Sequence, residues 1–234
     1  MNRLQSELNR LYQHADGGAP DRVRALVLEV VQPTGWEALS RAWHGVQAEL
    51  ELPAPAIAVS GVDGLQLWFS LETPVPPRQA HAFLESLRVR FLADVASARV
   101  RLTPDPAVPT RHAAIVPAFQ ESTGNWSAFV APDLAAVFSD APWLDVEPGE
   151  DGQAALLRGL QTTKLAAFEA AVARLAADDR PLHEGLAAPA PSRPEANTPG
   201  AGPRRFLRQV MNDETVALAL RIEAATALLP YADD

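Results

Sequence analysis

The Asp63-Gly64 pair restricts this chain more than any other position. An Asp-Gly step between two apolar runs favours a tight hairpin turn, because both residues tolerate the left-handed backbone that such turns need. The flanking runs are Ala56 to Ser60 and Gly64 to Leu71. Leu52-Pro53-Ala54-Pro55 forms a stiff connector ahead of the first run. Two antiparallel strands are therefore fixed near the middle of the N-terminal half.

Working outward, residues 2–14 carry Leu4, Leu8, Leu11 and Tyr12 at helical spacing. Val23 to Val31 is rich in branched apolar residues and reads as a buried strand. Residues 36–50 place Trp36, Leu39, Trp43, Val46 and Leu50 on one helical face, and residues 77–92 do the same with Ala80, Phe83, Leu84, Leu87 and Phe91. Residues 98–103 alternate like a half-exposed strand. The order strand, helix, strand, strand, helix, strand predicts an α/β (α+β) domain with a split βαββαβ core, ferredoxin-like or RRM-like.

Beyond this core, His112 to Pro117 and Trp126 to Val130 are expected to add strands, and Asp133 to cap a short helix ending at Phe138. Trp143 to Val146 reads as a further edge, and residues 151–179 as one or two helices. The domain is expected over 1–180. Pro181 to Pro203 is crowded with proline, alanine and glycine and reads as a disordered linker. Residues 204–234 read as a helical hairpin too small to fold alone.

The net charge of −9 gives no support to non-specific nucleic-acid binding. With no cysteine, disulfides, thiolate metal sites and a cysteine nucleophile are excluded. No apolar run reaches the roughly 18–20 residues of a membrane helix, so no membrane partner and a cytoplasmic location are expected. The five histidines are scattered without metal-ligand spacing, and no phosphate-binding loop or dinucleotide fingerprint occurs.

Ser60-Gly61-Val62-Asp63-Gly64-Leu65-Gln66-Leu67-Trp68-Phe69 resembles the second motif of the archaeo-eukaryotic primase-polymerase superfamily. There a Ser-Gly-x-x-Gly turn precedes a strand bearing a histidine and often a tryptophan. In this chain Gln66 stands at the histidine position. The family's first motif, two aspartates flanking one residue, corresponds here to Glu29-Val30-Val31, so the second acid is absent. For the third motif, a lone aspartate on a later strand, Asp105 or Asp145 is the candidate.

The resemblance covers residues ~22–105 and implies a degenerate catalytic centre. Its leading implication is a non-catalytic protein of replication or mobile-element maintenance, binding DNA, other nucleic acid or a replication protein. The contacts would be Ser60, Gly61, Gln66, Trp68, Arg99 and Arg101 in the core, with Arg204, Arg205 and Arg208 in the tail. No cofactor is then needed. The alternative is an active nucleotidyltransferase holding Mg or Mn on Glu29 with Asp105 or Asp145, which requires those carboxylates to converge. A third possibility is an interaction module that forms a homo-oligomer through the C-terminal hairpin. The tail from Phe206 to Tyr231 also resembles a helical segment of phage small-terminase-like proteins, where such helices serve DNA binding or oligomerisation.

Strand alternation places Leu65, Leu67, Phe69 and Leu71 on one face and Gln66, Trp68 and Ser70 on the other. The leucine face is expected beneath the helices. The Trp68 face is left open to bases or covered by residues 112–150, with packing favoured for a tryptophan.

Overall fold

The computed structural model describes residues 2–13, 22–107 and 113–178, with Ala225 alone beyond them. The chain divides into Met1–His183 and Glu184–Asp234, and the fold below is that of the first unit. The sequence reading of residues 181–234, including Arg204, Arg205 and Arg208, lies outside the described residues.

The elements run α1 (Arg3–Tyr12), β1 (Val23–Val31), α2 (Trp36–Ala48), β2 (Ala56–Val59), β3 (Gly64–Val75), α3 (Pro77–Phe91), β4 (Val100–Thr103), β5 (Ala118–Gln120), β6 (Asn125–Val130), α4 (Glu150–Arg158) and α5 (Leu165–Asp178). They form one antiparallel sheet of order β4-β1-β3-β2-β6-β5. The first four strands in that order, with α2 and α3 as crossovers, are the split βαββαβ unit expected from sequence.

Two apolar layers sandwich the sheet. Leu26, Leu28, Val30, Leu65, Leu67 and Phe69 meet Leu39, Val46, Phe83, Leu84 and Leu87 of α2 and α3, joined by Phe168 and Leu175 of α5. Phe83 sits at the centre of that layer, its ring 5.8 Å from Phe69 and 5.1 Å from Phe168. The opposite layer holds Val27, Ala56, Ala58, Trp68 and Phe129 beneath Leu4 and Leu11 of α1 and Ala154 and Leu157 of α4. The face carrying Trp68 is therefore closed. Its cover comes chiefly from the first and fourth helices, with Val116, Phe129 and the partly buried Ala113 supplied by the described residues of 112–150.

Local departures from the sequence reading have local causes. The strand expected over 112–117 begins instead at Ala118, and residues 113–115 have no regular structure. The segment expected to be a helix capped by Asp133 is a single 3₁₀ turn, Ala135–Phe138, entered from Leu134 without a side-chain cap. Trp143 to Val146 contributes only Leu144, whose N–H and C=O pair with Trp126 at 3.1 and 2.8 Å.

Short strands leave backbone groups that other parts of the chain must satisfy. Thr163 pairs beside β3 past the end of β2, through Thr163 N–H to Ser70 C=O (2.7 Å) and Glu72 N–H to Thr163 C=O (2.8 Å). Past the end of β5, the buried Gln153 of α4 lays its amide along β6. Its Oε1 accepts from Phe129 N–H (2.8 Å) and its Nε2 donates to Phe129 C=O (2.9 Å), as a neighbouring strand would.

Candidate functional site

Cross-strand register sets Arg101 of β4 opposite Glu29 of β1, Glu29 opposite Gln66 of β3, Gln66 opposite Ala58 of β2, and Ala58 opposite Phe129 of β6. Residues directly opposite point to the same face. The positions that resemble the family's first and second motifs thus lie side by side in one row. The row divides into a charged end and a buried end.

At the buried end, Gln66 is 9% and Trp68 5% exposed. Trp68 Nε1 donates to Gln66 Oε1 at 2.8 Å. Its ring lies edge-on to Tyr12 (5.2 Å) and Phe129 (5.8 Å). Burial pushes the Tyr12 phenol well above its ordinary pKa of 10. These contacts correct the expectation of nucleic-acid contact at Gln66 and Trp68. The indole faces are taken by α1 and β6, and the glutamine anchors the indole.

At the charged end, Arg101 Nη1 and Nη2 donate to the two oxygens of Asp63 at 2.8 and 2.9 Å, and Nη1 also reaches Glu29 Oε1 at 3.5 Å. The Asp63 carboxylate hydrogen-bonded to it, with Glu29 nearby, raises the Arg101 pKa further above its ordinary value. A guanidinium therefore stands between two carboxylates. A divalent metal would need that same place and the same oxygen atoms.

Each part of the Ser-Gly-x-x-Gly turn has a structural partner. Ser60 Oγ accepts from the N–H groups of Val62 (3.1 Å), Asp63 (3.1 Å) and Gly64 (2.9 Å). Gly61 has φ +79°, and a Cβ there would lie 2.7 Å from Ser127 N and 2.9 Å from the Trp126 carbonyl carbon. A Cβ on Gly64 would lie 2.5 Å from Glu29 Oε1. The motif closes the hairpin, seats it against β6 and leaves room for Glu29.

Glu29 and Asp105 border one open depression of about 350 Å³ at the β4 edge, together with His81, Glu85, Arg88 and Thr103. Asp105 Oδ1 accepts from Ala107 N–H at 2.9 Å and holds a turn. Asp145 follows Leu144, beside β6 and across β3 and β2 from Glu29. Of the three candidate acids, two border one depression and the third is elsewhere. Among the described residues no three His, Cys, Asp or Glu side chains are gathered to hold a metal. The residues do not fit the family's two-metal centre.

The arginines near β4 are engaged within the chain. Arg99 donates to the Gln32 carbonyl, Arg88 to both Glu85 oxygens (2.8 and 2.6 Å), and Arg90 to Glu49 (2.9 and 2.5 Å). Sequence reasoning missed Asp63 as a site residue because an Asp-Gly turn explained it fully. It missed Gln153 too, although a glutamine flanking the buried Ala154–Leu157 stripe was a usable signal.

No family model matches the chain, and no curated protein matches it significantly.

Proposed function

We propose that this chain is a non-catalytic binding protein built on a degenerate primase-polymerase-like core, and that its partner is a protein. Arg101 carries this reading. Held between Asp63 and Glu29, it supplies from within the chain the positive charge that a nucleotidyltransferase would take from a metal ion. Three further observations favour a protein over nucleic acid. Helices cover both sheet faces, the β4-side arginines are already partnered, and the net charge is −9. Among the described residues no helix is long and apolar enough to cross a membrane, and the cysteine-free sequence suits the cytoplasm.

The test is fluorescence anisotropy of the full chain with labelled primed single-stranded DNA at low salt, followed by primer extension with Mg or Mn. The expected result is neither salt-sensitive binding nor extension. Binding lost in the Arg204→Ala/Arg205→Ala/Arg208→Ala variant would return the protein to nucleic acid through its tail. Extension lost in Glu29→Gln would make it an enzyme.

A further inference from the structure

The connection from β6 to α4 runs from Ala131 to Gly149 and carries the 3₁₀ turn. Leu134 N–H donates to the Ala131 C=O (3.0 Å), Val137 N–H to the Leu134 C=O (3.0 Å) and Ser139 N–H to the Ala136 C=O (3.2 Å). With three residues per turn, side chains three apart lie above one another. Ala135 and Phe138 form the inner line and join the core layer beneath α2 and α3. Leu134 and Val137 form the outer line and are 51% and 72% exposed. The turn is held to the start of α2, where Trp36 N–H donates to Ser139 Oγ at 3.0 Å.

Ahead of the turn, Pro132 borders a cavity of about 70 Å³ where β2 begins and β6 ends. Trp43 of α2, Pro55, Phe129, Leu156 and Leu160 are among its other walls, and every side chain lining it is apolar. Pro55 and Pro132 carry no N–H, and the Trp43 indole N–H is engaged by the Pro55 carbonyl at 3.1 Å. The space is well below the roughly 300 Å³ of a cofactor site. It is about half of the roughly 150 Å³ that holds a benzene ring. One branched aliphatic group fits it. The rim is acidic. Asp133 stands between Pro132 and Leu134, Asp140 lies three residues past Val137, and Glu37 follows Trp36 in α2; all three are exposed. Among the described residues their carboxylates have no hydrogen bond or ion pair. From Ala113 to Leu157 the chain has seven carboxylates and no lysine, arginine or histidine. On the α1–α4 side of the cavity, Arg10 and Arg158 both reach Glu7, at 2.7 and 4.0 Å.

Resting on the protein-binding reading above, we propose that this cavity and the turn beside it dock an arginine- or lysine-bearing segment of a partner protein, which inserts one leucine or isoleucine side chain. The inserted side chain supplies the buried anchor that dominates such contacts. Leu134 and Val137 are covered beside it, and the basic side chains meet Asp133, Asp140 and Glu37. Charge decides against a second copy of this chain, which would bring the same carboxylates to the rim.

The probe is a labelled peptide of about nine residues with one central leucine among arginines and serines, titrated against the full chain by anisotropy. Two counterparts carry alanine for the leucine or glutamate for the arginines. The first peptide is expected to bind and to weaken about tenfold from about 50 to about 300 mM salt. The alanine counterpart is expected to bind about tenfold more weakly and to leave the Ile57 methyl signal, at the cavity wall, where the leucine peptide shifts it. Leu134→Ser/Val137→Ser, at exposed positions, and separately Glu37→Gln/Asp133→Asn/Asp140→Asn are each expected to weaken binding about tenfold. A control triple, Glu72→Gln/Glu121→Gln/Glu169→Gln, removes the same charge elsewhere and is expected to leave binding unchanged. Absence of binding, equal binding of either counterpart, or equal loss in both triples would overturn the proposal. So would a concentration-dependent dimer that Leu134→Ser/Val137→Ser dissolves. Peptide failure with DNA binding still absent would leave a protein partner at another surface, whereas DNA binding would remove the broader reading as well.

Discussion

The two edges of the sheet treat charge in opposite ways. At β4, charged side chains are matched within the chain: Arg101 by Asp63 and Glu29, Arg88 by Glu85, and Arg99 by a backbone carbonyl. At β5, Glu121 has no partner among the described residues and Phe119 faces solvent. Engaged charges protect the β4 edge from pairing, whereas the β5 edge is protected by its shortness, three residues. The β4 edge, where the primase-polymerase resemblance would put catalysis, is spent on internal structure.

This contrast can be broken by mutation. The largest effect is expected where the hairpin meets β6. Gly61→Ala would add a Cβ at positive φ into backbone atoms under 3 Å away and is expected to cost about 3 kcal/mol in urea unfolding. Gln153→Ala leaves the Phe129 N–H and C=O without their partner and is expected to cost about 2 kcal/mol, with faster amide exchange at Phe129. At the β4 edge, Arg101→Ala exposes Asp63 and Glu29 to each other and is expected to cost about 1 kcal/mol at neutral pH, less in high salt. The Glu121→Gln/Asp145→Asn/Glu147→Gln triple is expected to change stability by under about 0.5 kcal/mol. A loss as large as that of Arg101→Ala would make these exposed carboxylates structural.

The smallest effect is in pH dependence. The Arg88 guanidinium, hydrogen-bonded to Glu85, holds that carboxyl below its ordinary pKa of 4.5. The folded state therefore binds this proton less readily than the unfolded chain. The stabilisation is present in full above the unfolded pKa and is lost as pH falls through the lower folded value. Urea midpoints of Glu85→Gln should accordingly converge on those of the parent protein as pH falls through that lowered folded value. A constant offset down to the most acidic pH would contradict this.

Much of the fold was legible because its signals are local. The Asp63-Gly64 turn, the two helical stripes and the branched run from Val23 to Val31 suffice for the βαββαβ order. Alternation also put Gln66 and Trp68 together on the face away from Leu65 and Leu67, as observed. What closes that face was not legible. α1 comes from before β1, and α4 from about eighty residues after Trp68. Nothing in an amphipathic stripe says which sheet face it will cover. The strand expected over 112–117 shows a related limit, since Ile115-Val116 has strand composition but no partner strand among the described residues. Asp63 was explained as a turn residue, and only the β1–β4 register brought Arg101 to it.

A manganese titration followed by electron paramagnetic resonance, on the parent chain and on Glu29→Gln, tests the role of Arg101 most directly. With the guanidinium between Asp63 and Glu29, the free-ion signal of both proteins should be the same through millimolar metal. A manganese site in the parent chain that Glu29→Gln abolishes would contradict the account and restore a metal-dependent enzyme.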